Sequence, residues 1–496
     1  MKKRGQTPNA QTFTIIFTGL ARSEHPTVAV AEAVKLFQSM LTSDRIRPND
    51  IHLNAVINVC ARAQDIDSLF SVLQSADERG LSPNRVTYSI VLHALRASVI
   101  SAASDTRIQY MTEEQLQENK NLVLQRCKSI WDEIIRRWRA GSLQLDEELV
   151  CAMGRVLLLG NSGDVEAVLD LMEQTMKIPK MIPSNYKNQK KHANPTTSAV
   201  ASAGSGIYVK PGNNAISLIM QTLTMLRWTR VAMEYWSLLT TTYRVNADSN
   251  NWHWLMATVK RGHASGQAAD IVTIMPRKFL NFTTFRMAIA ACMKDSNNRN
   301  VYRHADTIAN LMLQTLPKPD PEATREYLTL VASRLHYALR LRTAITDEAA
   351  FKESRLHVDA VVASLSTVHG HIHKVLESRE YRDVDHNALK TISGSVYNET
   401  AEYISISRKL ASLCDQLNGG IPLPANILQQ IRQRRENLNR HIKAFYVATD
   451  APNDQLLDTN NTGHARAPHG NEDNNDGEWA SEPGSTSNPR QNAELI

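Results

Sequence analysis

The chain has 496 residues, of which 42% are hydrophobic and 6% aromatic, so it can hold several domains or one extended repeat array. No apolar run approaches the ~20 residues that a membrane-spanning helix requires, so no such helix is predicted. The net charge of +6 is uneven, because residues 451–496 carry eight acidic and only two basic side chains. The remaining part is basic, which suits polyanion partners, although many plain globular proteins share this balance.

The first residues look like the end of a repeated unit. Pro8-Asn9 matches the later pairs Pro48-Asn49 and Pro83-Asn84, each of which closes a unit. Neither a hydrophobic signal core nor a long Arg- and Ser-rich presequence is present at this end. We therefore expect that the sequence is truncated at its N-terminus, with Met1 an internal methionine of a longer protein.

Residues 48–92 contain the same sequence pattern twice, since Pro48-Asn49 recurs as Pro83-Asn84 35 residues later. A period of this size predicts a helical repeat array rather than a single compact domain. The first helices of the units share apolar positions spaced i, i+3, i+4, i+7, which lie on one face of a helix. These stripes are Phe13, Ile16, Phe17 and Leu20; Leu53, Val56, Ile57 and Cys60; and Tyr88, Val91, Leu92 and Leu95. Residues 1–97 are thus predicted to hold two complete units and the start of a third.

The next part contains weaker copies of the pattern and two interruptions. Residues 98–118 are predicted to be a polar insertion, and residues 179–212 a flexible linker or loop rich in Lys, Asn, Ser and Gly. Residues 119–178 and 213–320 are predicted to be helical and repeat-like. Their stripes include Val150, Met153, Gly154 and Leu157, and Ile216, Ile219, Met220 and Leu223.

The C-terminal part is long-helical without a clear repeat. Within residues 321–449 we predict helices over 322–345, 347–378, 386–418 and 424–446, as a block that caps the open end of the array. Residues 450–496 are acidic and polar with few apolar side chains, which predicts a disordered tail.

Units of this length, with Thr-Phe or Thr-Tyr near the start and Pro-Asn at the end, resemble pentatricopeptide repeats. The motifs are Thr12-Phe13, Thr87-Tyr88 and the two Pro-Asn pairs; the resemblance is full over residues 1–97, weaker over 145–320 and absent beyond. It implies an all-α fold: an α-solenoid of helix-turn-helix repeats, followed here by a nonrepeat helical block. It also implies binding of single-stranded RNA at about one base per repeat.

In that family the fifth and last residues of a repeat contact the base. The resemblance places these roles on Thr14 with Asn49, Asn54 with Asn84, Ser89 with Asp146, and Ser217 with Asp248. Each first-helix residue follows the first member of a buried stripe, so a short polar group there should reach a base edge. The alternative is that they are ordinary polar residues at a helix edge. Cys151, His253 and Arg286 depart from the expected polar type in other units.

The layout resembles fungal mitochondrial pentatricopeptide proteins of small-subunit ribosomal RNA maturation and group I intron splicing. The resemblance implies a mitochondrial matrix location and an RNA partner, either a ribosomal RNA precursor or an intron-containing transcript. A small-subunit ribosome precursor is a further candidate partner. The alternative function is a structural component or assembly scaffold of the mitochondrial ribosome.

Two basic segments are candidates for contacts with the RNA backbone, although solvated helix faces explain them equally well. They contain Arg136, Arg137 and Arg139, and Arg432 and Arg435. No metal site is predicted: of His369, His371 and His373 only the first and last share a helix face, and the five cysteines are far apart. No catalytic constellation, cofactor motif or small-molecule site is recognised, so the chain is predicted not to be an enzyme.

Overall fold

The protein is a stack of α-helical hairpins. The computed structural model describes residues 9–42, 47–104, 112–183, 208–295, 297–343, 348–378, 395–420 and 423–449. Within these ranges the chain forms helices and turns, without a β-strand. None of the described helices is long and apolar enough to cross a membrane. The all-α solenoid predicted from the repeats is confirmed.

Nine consecutive helix pairs make up the described part. The helices are α1 Ala10–Leu20, α2 Pro26–Leu41, α3 Asp50–Arg62, α4 Ile66–Asp77, α5 Arg85–Ser104, α6 Glu113–Arg139, α7 Glu147–Leu157, α8 Ser162–Met176, α9 Asn213–Leu226, α10 Thr229–Ser237, α11 Ser249–Arg261, α12 Ser265–Ile274, α13 Phe282–Lys294, α14 Val301–Thr315, α15 Pro321–Thr343, α16 Glu348–Leu376, α17 Ser395–Gly420 and α18 Ala425–Thr449. Each odd-numbered helix packs against the even-numbered helix that follows it.

The first helices of the hairpins form a continuous row. Helix α1 packs against α3, α3 against α5, and the same relation continues through α7, α9, α11, α13, α15 and α17. The second helices pack closely against each other at fewer steps, for example α2 with α4 and α12 with α14. The first helices therefore form one unbroken layer of the stack.

The hairpins form where the sequence supplies an apolar stripe and a capping residue. In α3 the predicted stripe of Leu53, Val56, Ile57 and Cys60 is completely buried. Asn49 precedes this helix, and its side chain accepts a hydrogen bond from the backbone N–H of His52. Such a cap is worth about 1 kcal/mol, since it satisfies one of the N–H groups that a helix start leaves unpaired.

The C-terminal block continues the same architecture. Helices α15 to α18 form two hairpins that are longer than the preceding ones. They join the row through α15, which packs against α13. Three of the four predicted helices match these bounds closely. The third, predicted over 386–418, is described from Ser395 onward.

Several predicted segments fall partly or wholly outside the described residues. Helix α5 runs to Ser104 and α6 begins at Glu113, so helix covers both ends of the stretch predicted as an insertion. Residues 105–111 of that stretch, residues 184–207 of the predicted linker and the predicted tail from 450 lie outside the described residues. Residues 1–8, which include Pro8, lie outside them as well.

Candidate nucleic-acid interface

A single register relates the predicted base-contacting residues and the matching positions in the first seven hairpins. The residue predicted as the last of each repeat is the N-cap of the next first helix, and the predicted reading residue stands five positions after its own N-cap. The register gives the pairs Asn9 and Thr14, Asn49 and Asn54, Asn84 and Ser89, Asp146 and Cys151, Gly212 and Ser217, Asp248 and His253, and Asn281 and Arg286. Polar side chains therefore cap six of these seven first helices, and Gly212 is the exception.

Asn54 and Asn84 are the predicted pair that the structure brings into direct contact. Asn54 Nδ2 lies 3.5 Å from Asn84 Oδ1, across the junction between α3 and α5. Thr87 Oγ1 donates to Asn54 Oδ1 at 2.6 Å, and Asn84 Nδ2 donates to Asp50 Oδ2 at 2.9 Å. Both asparagines are partly exposed. Their amides therefore form a polar patch that solvent, or a base edge, can reach.

Asn84 also holds the start of α5. Its Oδ1 accepts hydrogen bonds from the backbone N–H groups of Val86 and Thr87, at 2.9 and 3.0 Å. Since this oxygen is engaged by the helix, the group best placed to change partner is the amide nitrogen, which donates to Asp50. An amide side chain both donates and accepts, as recognition of a base edge requires.

Thr14 and Asn49 are both reachable by solvent but do not bond to each other. Thr14 is partly exposed, and its hydroxyl donates to the carbonyl oxygen of Ala10 at 3.4 Å. Asn49 is exposed and caps α3 through the backbone N–H of His52, at 3.2 Å. Thr14 and Asn49 are thus both accessible to solvent, and the capping hydrogen bond holds Asn49 in position.

Ser89 and Asp146 are placed differently from the first two pairs. Ser89 is only 6% exposed, so its hydroxyl lies inside the helix packing rather than at its edge. Asp146 caps α7 through Leu149 N at 2.9 Å and forms an ion pair with Arg85 at 3.3 Å. Asp146 therefore links the starts of α5 and α7.

Ser217 and Asp248 are separated by a buried polar network. Ser217 is 6% exposed and donates to Asn251 Oδ1 at 2.6 Å, and Asn251 donates to Asn213 Oδ1 at 2.9 Å. Asp248 is exposed and caps α11 through the N–H of Asn251 at 2.9 Å. Asn251 thus occupies the position next to Ser217 that the prediction gave to Asp248.

The three departures noted in the sequence have distinct surroundings. Cys151 is fully buried, which raises the pKa of its thiol. Burial lowers the pKa of His253, helped by the nearby charge of Lys260. Arg286 donates to both oxygens of Asp320, the N-cap of the next first helix. Between α13 and α15 an ion pair therefore occupies the repeat positions that Asn54 and Asn84 occupy between α3 and α5.

Most of the arginines predicted to contact the RNA backbone have partners within the chain. Arg137 donates to Pro83 O and to the Tyr88 hydroxyl, both at 3.0 Å, and so ties α6 to α5. Arg136 pairs with Glu133 at 2.6 Å. Arg435 forms a two-bonded pair with Asp415, and Arg432 donates to Asn418 Oδ1 at 3.4 Å. Arg139 and Arg136 are exposed, so this end of α6 presents positive charge to solvent.

One possible metal-binding group lies outside this row of first helices. The side chains of His373, Glu377 and His441 bring three ligand atoms within 4.8 Å of one another. The sequence pattern His369, His371 and His373 contains only one of these three ligands, so it did not indicate the group. Glu377 stands four residues after His373, on the same helix face, which is the signal that could have drawn attention to it.

Together the hairpin stack and the continuous row of first helices define a helical-repeat protein. Residues 1–120 match the family model described as the pentacotripeptide-repeat region of PRORP. Over these residues the chain is similar to a pentatricopeptide repeat region, in agreement with the resemblance found in the sequence. No curated protein matches the chain.

Solved structures of one pentatricopeptide repeat protein were also found. PPR10 in complex with an 18-nt psaJ RNA element, in two forms, is similar at 13% identity with a TM-score of 0.32 and covers 90% of this chain. The same protein from maize is similar at 15% identity with a TM-score of 0.23, again over 90% of this chain. This chain spans 60% of the length of the first two structures and 68% of the third.

Proposed function

We propose that this protein is a sequence-selective adaptor for single-stranded RNA, acting in mitochondrial RNA metabolism. Its partner would be a ribosomal RNA precursor or an intron-containing transcript, and its role 5′-end maturation of small-subunit ribosomal RNA or group I intron splicing. The pentatricopeptide repeat region supports RNA as the ligand, since repeats of this type read bases with two or three side chains each. The processing chemistry would belong to other factors.

The contact between Asn54 and Asn84 carries the proposal. Two partly exposed amides face each other where successive first helices meet, so a base that enters there can meet donors and acceptors from two repeats at once. In the free protein these groups bond to Asp50 and Thr87. A base edge would replace those partners at little net cost in free energy, because the amide groups of Asn54 and Asn84 are already partly desolvated and held in position.

The buried positions limit how many hairpins can read bases. Ser89 and Ser217 are covered, and Arg286 is held by Asp320. We therefore propose that base reading is concentrated in the first two hairpins, at Thr14 with Asn49 and at Asn54 with Asn84. The later hairpins would extend the surface and hold the RNA backbone near the exposed Arg136 and Arg139.

Selection from a random single-stranded RNA library tests the proposal. The wild-type chain should enrich one short motif, and Asn54→Ala should lose about 1–3 kcal/mol on that motif, with a smaller loss on unrelated RNA. Asn121→Ala, at an exposed asparagine of the second helix α6, is the matched control and should bind as wild type does. Equal losses on every RNA sequence would overturn base reading.

The alternative role is a structural component or assembly scaffold of the mitochondrial ribosome. Helical solenoids also bind other proteins through their exposed faces. Sedimentation of mitochondrial extracts distinguishes the two roles. Stable comigration with mature small subunits would favour the structural role, whereas association with precursors alone would favour the adaptor. Crosslinking followed by sequencing of the bound RNA would identify the transcript.

A further inference from the structure

Three potential metal ligands meet between the last two hairpins. His373 lies in the last turn of α16, Glu377 follows directly after the end of that helix, and His441 comes from α18. His373 Nδ1 lies 2.8 Å from His441 Nε2, and His441 Nε2 lies 3.7 Å from Glu377 Oε1. The same two helices are also joined by a hydrogen bond from Arg434 to the Ser366 hydroxyl, at 2.7 Å.

The distances suit a common metal ion. Zinc binds imidazole nitrogen and carboxylate oxygen at about 2.0–2.2 Å, which places neighbouring ligands of a tetrahedral site about 3.3 Å apart. The two distances here, 2.8 and 3.7 Å, lie on either side of that value. Two imidazoles and a carboxylate are also a donor set that zinc, cobalt and nickel accept.

His369 supplies an independent observation at the same place. Its ring stacks on that of His373, with centroids 5.7 Å apart. It is only 8% exposed, and its Nε2 is buried without a hydrogen-bond partner. A buried polar atom without a hydrogen-bond partner is costly. A water bound to a metal ion beside His369 would supply such a partner.

We propose that His373, Glu377 and His441 bind a zinc ion that joins α16 to α18, with a water as the fourth ligand. In the free protein one of the two imidazoles donates to the other. For both facing nitrogens to bind the ion, the donor ring must carry its proton on its other nitrogen instead, which is a change of tautomer. Partial exposure of Glu377 leaves an entry path from solvent. The ion would lock the two hairpins that close the end of the stack.

Metal analysis of the untagged full-length chain tests this site. After dialysis against zinc, elemental analysis should find about one ion per wild-type chain and none above background in His373→Asn or His441→Asn. His371→Asn is the matched control. It lies on the same helix but off the shared face, and it should retain the ion. Zinc should raise the thermal unfolding midpoint of wild type and His371→Asn, and not that of the two ligand variants.

Cobalt gives a second readout that does not depend on variants. Cobalt(II) added to the wild-type chain should develop the visible absorption of a tetrahedral site with nitrogen and oxygen ligands, and zinc should abolish it. Equal zinc content in wild type, His441→Asn and His371→Asn, or an octahedral cobalt spectrum identical to that of the free ion, would overturn the proposal. RNA binding is measured separately, so failure of either idea leaves the other standing.

Discussion

Arg286 binds Asp320 through two parallel hydrogen bonds, of 2.9 and 2.7 Å, from the same repeat positions that Asn54 and Asn84 hold in an earlier hairpin. Asp320 is 6% exposed and also caps α15 through the N–H of Ala323. A planar guanidinium fits a carboxylate in this two-bonded manner. One register of the solenoid therefore carries a polar pair that solvent can reach at one step and a closed ion pair at another.

Replacing Arg286 should destabilise the junction between α13 and α15. Arg286→Ala leaves the buried Asp320 carboxylate without its cation, and we expect a loss of about 2 kcal/mol, below the 3–5 kcal/mol of fully buried pairs because the arginine is partly exposed. Hydrogen exchange of the α13 and α15 amides measures this loss locally. Arg230→Ala is the control, because the pair of Arg230 with Glu234 is largely exposed and should contribute under 1 kcal/mol. Similar losses in both variants would contradict this assignment.

Asn84 should show separate effects on stability and on RNA binding. Asn84→Ala removes the cap of α5 and should cost about 1 kcal/mol, whereas Asn84→Ser keeps a capping oxygen and should cost little. Neither variant retains the amide that meets Asn54. If Asn84 reads a base, both variants should lose the same preference at one RNA position despite their different stabilities. Retention of the wild-type preference by Asn84→Ser would show that Asn84 acts only as a cap.

The helices were predictable because their signals are local. The residues of the stripe Leu53, Val56, Ile57 and Cys60 lie within two turns of one helix, and the structure buries them as expected. The Pro-Asn pair at 48–49 is expected to end a unit, and Asn49 indeed stands directly before α3. The repeat period added the hairpin stack, since neighbouring copies must bury the same face. Even the C-terminal block, where no repeat is visible, follows the same packing of one hairpin on the next.

The surroundings of the reading positions could not be predicted in the same way. Ser217 bonds to Asn251, and Arg286 bonds to Asp320, each across 34 residues. Which of these residues meet depends on the rotation of one hairpin against the next and on helix lengths that vary between units. A pattern that counts five positions from a cap gives the register, but not the burial of Ser89 or Ser217.

Gly154 should be intolerant of a side chain because α7 and α9 approach closely there. A Cβ on Gly154 would collide with the side chain of Leu218, which is fully buried. Gly154→Ala should therefore cost about 1–3 kcal/mol, even though alanine is the better helix former. In Leu218→Ala the collision is absent. The double variant should thus be more stable than the sum of the single losses predicts, and simple additivity would contradict the close approach.

Acid should loosen α16 through His357. Burial lowers the pKa of His357, and the positive charge of Arg334 adds to this effect. Arg334 Nε donates to His357 Nδ1 at 3.1 Å, which requires the neutral imidazole. Because the folded-state pKa lies below the unfolded value of about 6.5, this contribution to stability is complete above that pH and is lost as the pH falls further.

Hydrogen exchange of the α16 amides measures this effect locally. Protection factors at pH 7.5 and pH 5 are compared, both in EDTA. A local measurement is needed because a solenoid need not unfold in one step. We expect protection to fall at the lower pH by on the order of 1 kcal/mol, the worth of the hydrogen bond that protonation breaks. His357→Gln keeps an acceptor for Arg334 but does not titrate, so its protection should depend less on pH. An unchanged pH dependence in that variant would assign the loosening to other groups.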